Sequence, residues 1–162
     1  MKVKFQGNPV TLEGNVVKVG DKAPDFILVD NKLGAVTLKD TKGKRVFLTV
    51  PSIDTPVCDL EVRTFNEEAA KLENVTIYTV SMDLPFAQSR WCGQANIDIV
   101  KTLSDYKDRT FGKNYGTYIK ELGLLTRAVF VVNERDEIIY VQYCEEIGNA
   151  PDYGKVIDIL KK

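Results

Sequence analysis

Hydrophobic positions along this chain fall into short blocks of differing period. Val46 to Val50, Val75 to Ser81 and Ala128 to Asn133 are apolar or β-branched runs bounded by polar and turn residues, the pattern of strands buried on both faces. "ERDE" follows the last run and leads into "IIYVQY", which predicts a hairpin to a further strand. Elsewhere the period lengthens. Cys58, Val62, Phe65, Ala69 and Leu72 recur at alternating spacings of four and three, one face of a helix. "PDYGKVIDILKK" sets Pro151 at an expected first turn and Tyr153, Val156, Ile157 and Leu160 on one face, predicting a closing helix.

At the N-terminus, "VKFQGNPVTLEGN" alternates short extended pieces around Asn8-Pro9 and Gly14-Asn15, predicting a hairpin appended to the main sheet. "VGDKAPDFILVD" carries Pro24 in a mixture that suits a loop leading into an extended segment, and Asn31 to Gly34 predicts another turn. Strands alternating with helices, plus hairpins, predict an α/β fold with helices on both faces of the sheet. No repeat, low-complexity tract or linker interrupts the pattern. The 162 residues are therefore expected to form a single domain, long enough to bury a core without disulfide or metal support.

Charge narrows the partners. Twenty-two basic residues against 23 acidic ones give a net charge of -1, with no electrostatic footprint for nucleic acid or an anionic membrane. A small molecule or a protein is the expected partner. No apolar run approaches a membrane span, and "MKVKFQGN" lacks the apolar core of a signal peptide, so the cytoplasm is the expected location.

Two counts narrow the chemistry. Histidine is absent, which removes Cys-His and Ser-His catalytic pairs and every His-based metal site. Cysteine occurs three times, at Cys58, Cys92 and Cys144, too widely spaced for a Cys-x-x-Cys metal or redox motif. An odd number argues against a structural disulfide framework and for free or redox-active thiols.

"PSIDTPVC", from Pro51 to Cys58, directly follows the first apolar run. Thr55-Pro56 is a helix-start signal that puts Cys58 in the first turn. Backbone N–H groups and the helix dipole there favour a thiolate, making a nucleophile without an adjacent base. Asp54, Asp59 and Glu61 oppose that shift, so a cation from elsewhere would help. Arg127, just before "AVFVV", is the leading candidate. An arginine there is costly unless paired; an exposed strand end is the other reading, and spacing leaves the two even. Cys58 equally reads as a buried structural thiol, since free cysteine behaves as a small hydrophobe, and composition alone leaves that reading slightly ahead.

"PSIDTPVC" resembles the peroxidatic-cysteine signature of peroxiredoxins, with Pro51, Thr55 and Cys58 at matching positions. "DLPFAQSRWCG" at Asp83 to Gly93, "TRAVFVV" at Thr126 to Val132, "GDKAPDF" at Gly20 to Phe26 and the near-terminal "PDY" are similar to the bacterial thiol peroxidase subfamily, and together they span nearly the whole chain. The resemblance implies a thioredoxin-like fold, with a central mixed β-sheet flanked by helices. It implies a thiol peroxidase in which Cys58 attacks the terminal oxygen of a hydroperoxide, becomes a sulfenic acid and releases water or an alcohol. Implied roles follow for its neighbours: the Thr55 hydroxyl orients the peroxide, Arg127 stabilises the thiolate and the developing charge, and Pro51 shields the pocket.

By the same resemblance Cys92, in a Pro85-started segment that reads as a short helix, is the resolving cysteine, forming an intramolecular disulfide with Cys58. Thioredoxin is the implied reductant, a homodimer the implied assembly, and no haem, flavin or metal is needed. Two sulfurs on separate helices are expected to start too far apart to bond, so the first turn after Thr55 and the Cys92 segment are expected to unwind during turnover. Cys144 has no counterpart in these motifs, and Glu61 replaces the small residue expected at its position. The same oxidation of Cys58 also fits a redox sensor that signals by changing shape, which repeated turnover would distinguish from an enzyme.

Overall fold

The apolar runs lie side by side in one sheet. The structure, a computed structural model, describes residues 1–55, 63–65, 67–68, 71–95 and 100–162. Its strands are Lys2–Phe5 (β1), Asn8–Glu13 (β2), Ile27–Val29 (β3), Ala35–Thr37 (β4), Lys44–Thr49 (β5), Val75–Ser81 (β6), Val100–Ser104 (β7), Tyr118–Ile119 (β8), Leu124–Leu125 (β9), Ala128–Val132 (β10) and Ile138–Tyr143 (β11). Helices span Pro85–Ala95 (α1), Thr110–Asn114 (α2) and Tyr153–Leu160 (α3), and residues 63–65 and 67–68 are also helical.

The larger sheet runs β11-β10-β5-β6-β7-β3-β4. β5, β6 and β7 are parallel, and the strands on either side pair antiparallel. This is the expected mixed sheet. Its central strands are apolar almost without alternation because both faces are covered. Val46, Leu48, Ile77, Val129 and Val131 pack with Phe65, Val156 and Leu160, while Phe47, Tyr78, Val80, Leu103, Phe130 and Val132 pack with Phe26, Phe111 and Tyr115. On the second face aromatic edges and faces interlock, with Phe26 edge-on to Phe47 at 5.4 Å and Phe111 stacked on Tyr115 at 4.1 Å, geometries that suit the ring quadrupole.

The expected helix after the opening motif is carried by Phe65, which is buried and meets Tyr153 edge-on. Leu72 packs on the same cluster from a bend beyond the helical residues. Cys58, Val62 and Ala69 of that stripe lie outside the described residues. In α3, Val156, Ile157 and Leu160 face the core as expected. Pro151, however, precedes the helix: Asp152 is the N-cap, its carboxylate accepting from the Lys155 amide at 3.1 Å, because a carboxylate acceptor satisfies an otherwise unpaired N–H.

Two details of the N-terminal hairpin differ from expectation. It turns at Gln6-Gly7, both with positive φ (51° and 82°), as a two-residue hairpin turn requires, whereas Asn8 and Pro9 lie within β2 opposite Phe5 and Lys4. The hairpin also joins β8 and β9 in a separate four-stranded sheet. Its own small core of Val3, Val10, Leu12, Ile119 and Ile147 gives β1 and β2 a buried face without the main sheet.

One buried acid organises the turn after β7. The Asp105 carboxylate accepts from the amides of Phe111 and Gly112 at 3.2 and 2.8 Å, closing the start of α2. A side chain at Gly112 would meet Leu125 Cδ2 at 2.9 Å and Asp105 Oδ2 at 3.2 Å, so only glycine lets these groups approach. Burial pushes Asp105 up to about 6, against the pull of the two amides. Its ordinary value is 3.8, so the folded chain holds this proton longer than the unfolded chain. Stability from Asp105 is therefore greatest below pH 4 and is lost as pH rises to about 6, by of order 3 kcal/mol. Urea unfolding from pH 4 to 7 is expected to show this decline in the native chain relative to Asp105→Asn, which cannot ionise; parallel curves would refute it.

Candidate active site

The site begins where the β5 ladder stops. The Val50 amide donates to the Val80 carbonyl at 3.0 Å, continuing the parallel pairing, and then Pro51, buried and without an N–H, ends it. The chain turns over the carboxyl ends of the central strands. Ile53, 1% exposed, plugs the core beside Val50 and Phe65. Asp54 lies in solvent, which screens its opposition to a nearby anion, and Thr55 is half-buried.

A single carboxylate pins this turn. Asp83 Oδ1 accepts from Ser52 Oγ at 2.8 Å, and Oδ2 accepts from the Ile53 amide at 2.9 Å and from Ser81 Oγ at 2.6 Å. Ser52 Oγ in turn accepts from the Asp54 amide at 3.1 Å, and Thr55 Oγ1 donates to the Ser52 carbonyl at 3.3 Å. The network reaches α1 and β7: buried Gln88 donates through Nε2 to Ser81 Oγ at 3.0 Å and to the Leu103 carbonyl at 2.9 Å, and Ser104 Oγ donates to the Asp83 carbonyl. Asp83 opens the "DLPFAQSRWCG" motif, where the sequence alone gives it no role. The available signal was polar Ser81, Asp83 and Gln88 clustered where a buried strand passes into a helix.

Arg127 reaches the same end of the sheet by register. Ala128 pairs with Thr49, which carries Arg127 alongside Val50, and Thr49 Oγ1 donates to the Thr126 carbonyl at 2.8 Å. Arg127 is 2% exposed, and its Nε donates to the Ile147 carbonyl at 2.7 Å. The exposed-strand-end reading is thereby excluded. Cys144, just past β11, is buried and supports this arginine from behind, its amide donating to the Arg127 carbonyl at 3.0 Å.

Cys92 sits apart from these groups. It lies on α1, about 10 Å along the axis from Pro85 at the standard rise. It is half-buried and carries no disulfide. Its Sγ is 3.3 Å from Thr102 Oγ1, and Thr102 gives its one hydroxyl hydrogen to Asn31 Oδ1 at 3.2 Å. The Cys92 thiol is thus the donor to Thr102. Beside it opens a cavity of about 530 Å³ lined by residues including Asn31, Tyr78, Lys101 and Thr102. Cys58, Pro56, Asp59 and Glu61 lie outside the described residues, and with them the expected cap and the separation of the two sulfurs.

The structure therefore gathers Pro51, Thr55 and Arg127 at one end of the sheet and leaves Cys92 on the adjoining helix. Among the described residues no group of three or more His, Cys, Asp or Glu side chains could hold a metal, and no helix is long and apolar enough to cross a membrane.

The family described as Redoxin matches residues 18–157. A thiol peroxidase of Clostridium acetobutylicum is 62% identical over 157 residues, 97% of this chain and 96% of that protein. The thiol peroxidase of Bacillus subtilis is 54% identical over 161 residues, 99% of this chain and 96% of that one. The crystal structure of a peroxiredoxin-like protein from Aquifex aeolicus superposes with a TM-score of 0.92 at 42% identity, covering 99% of this chain and 95% of the other.

Truncating Arg127 removes the donor to the Ile147 carbonyl. Arg127→Leu is expected to cost about 1–3 kcal/mol in urea unfolding, with faster hydrogen exchange at the Ile147 and Asn149 amides. Unchanged stability and exchange would mean that this bond holds nothing in place.

Proposed function

This chain belongs to the Redoxin family and is a peroxiredoxin of the bacterial thiol peroxidase subfamily, and from that premise we propose that it reduces hydrogen peroxide and organic hydroperoxides through Cys58. The observation that carries this reading is Arg127, a buried guanidinium in register with the strand end that leads through Pro51 and Thr55 to Cys58. A guanidinium removed from water favours an anion at its side far more than an exposed one does. With no histidine in the chain, the thiolate is maintained by charge and amide donors, not by proton transfer to imidazole.

The Cys58 thiolate attacks the terminal peroxide oxygen; the S–O bond forms as the O–O bond breaks, and the leaving oxygen takes a proton and departs as water or an alcohol. Thr55 presents a hydroxyl whose bond to Ser52, at 3.3 Å, is longer than the charge-assisted bond it would make to a peroxide oxygen or the thiolate. Arg127 stabilises the charge moving onto the oxygens, and Pro51 screens the reacting atoms from water. Cys92 then attacks the Cys58 sulfenic sulfur, forming the disulfide and expelling hydroxide, which leaves as water. Thioredoxin, by dithiol exchange, returns both thiols. The reading takes the chain as one domain, acting as a cytoplasmic homodimer.

Fully reduced protein mixed with one equivalent of hydroperoxide, quenched at intervals and mapped by mass spectrometry, is expected to show a Cys58 sulfenic acid and then a Cys58–Cys92 disulfide that thioredoxin reverses. Cys92→Ser should stop at the sulfenic acid. Arg127→Ala should slow the first step about 100-fold and the second far less. Cys58 remaining reduced, or pairing with Cys144 or another chain, would overturn the assignment.

A further inference from the structure

We propose that Asp83 is a positioning residue that couples the two halves of the catalytic cycle, holding the Pro51–Thr55 turn for peroxide attack and releasing it for disulfide formation. The inference rests on the Cys58–Cys92 reading above. Cys92 is seated against Thr102 on β7, about two helical turns beyond the start of α1, and on the reading above its thiol must leave that seat to reach Cys58. Attack requires a fixed turn, while the expectation that sulfurs on separate helices start too far apart to bond makes resolution a movement of the turn, of α1 or of both. Among the described residues, the side chain of Asp83 takes two contacts from the turn that such movement would break.

Asp83 accepts two of its three side-chain hydrogen bonds from the turn, from Ser52 Oγ and the Ile53 amide, on separate carboxylate oxygens. Its third donor, Ser81, also accepts from Gln88 on α1. Asp83 itself stands two residues before Pro85, where α1 begins, and its carbonyl is tied to Ser104 at the end of β7. The turn that precedes Cys58 and the helix that carries Cys92 therefore share one carboxylate. An aspartate suits the task because all of its carboxylate capacity is for accepting; an asparagine would turn an N–H₂ either toward the Ile53 amide, losing that bond, or toward a serine hydroxyl, which would have to reverse and accept, and in both cases the charge that strengthens these bonds is gone. Ile53, buried in the core, also holds the turn and keeps the segment attached while its polar contacts change.

Asp83 touches neither peroxide nor sulfur in this scheme, so its signature is a change in the ratio of two rates. In Asp83→Asn, Cys58 oxidation is expected to slow at least tenfold, since small misplacements of reacting groups carry costs of that order. Disulfide formation, which needs these bonds broken, should hold its rate or quicken. Ser52→Ala, which removes one of the two bonds to the turn and gives a second variant should Asp83→Asn not fold, should move the ratio in the same direction by about threefold. Hydrogen exchange supplies a readout independent of turnover: the Ile53 amide should be protected in the reduced native chain and lose protection both in reduced Asp83→Asn and in the native disulfide form. Equal slowing of both steps, or Ile53 protection that is the same in reduced and disulfide native protein, would overturn the coupling while leaving the peroxidase reading intact. A native chain whose Cys58 is not oxidised would remove that reading and this one with it.

Discussion

Everything at the candidate site depends on β5 being hydrogen-bonded on both sides, to β6 in parallel and to β10 antiparallel. That pairing buries Val46, Phe47 and Leu48 completely and leaves the strand no freedom of register, because a one-residue slip would exchange its two apolar faces. Once the register is set, the end of β5, the end of β6 and the start of β10 coincide. Pro51, Asp83 and Arg127 then share one edge although they are far apart in the chain. The separate sheet of β1, β2, β8 and β9 supports the same edge indirectly, since Ile147, whose carbonyl receives Arg127, packs in its core.

The edge solves an electrostatic problem. A buried guanidinium is expensive, and Arg127 meets part of that cost with the Ile147 carbonyl. On the other side, Asp83 gathers three donors and draws the turn down onto the sheet. Cation and carboxylate thus do different work within one thioredoxin-like scaffold. The cation is buried at the strand end, tied to the Ile147 carbonyl, and the carboxylate holds the turn in position. Cys92, on the adjoining helix, has its thiol seated against Thr102.

Legibility varied with the kind of signal. β6 and β10 were plain because short runs of apolar and β-branched residues suit covered strands, and α1 because Pro85 opens a segment of helical composition that tolerates one glycine near its end. β7 was not, since "VKTLS" has no apolar run. It is a strand because β6 supplies its hydrogen bonds and its buried Thr102 and Ser104 find polar partners. The two-residue turn at Gln6-Gly7 was hidden behind the stronger turn letters of Asn8-Pro9, and α2 is too short to show a period. Of the site, the "PSIDTPVC" segment and the cysteines were visible as chemistry. For Arg127, spacing leaves two readings even, the family resemblance favours the paired one and burial excludes the exposed strand end, while the role of Asp83 is invisible because its partners on the turn lie some 30 residues away.

By itself the sequence determined the class of fold, the absence of imidazole chemistry, and the family through motifs spread along the chain, because periodicity, composition and local spacing are properties of neighbours. Tertiary structure alone decided which polar groups meet. The bond of Arg127 to Ile147, the grip of Asp83 on Ser52 and Ile53, and the seat of Cys92 against Thr102 depend on register between strands and on the placement of one helix. Those are settled by packing both faces of the sheet at once, a constraint that no short window of residues contains.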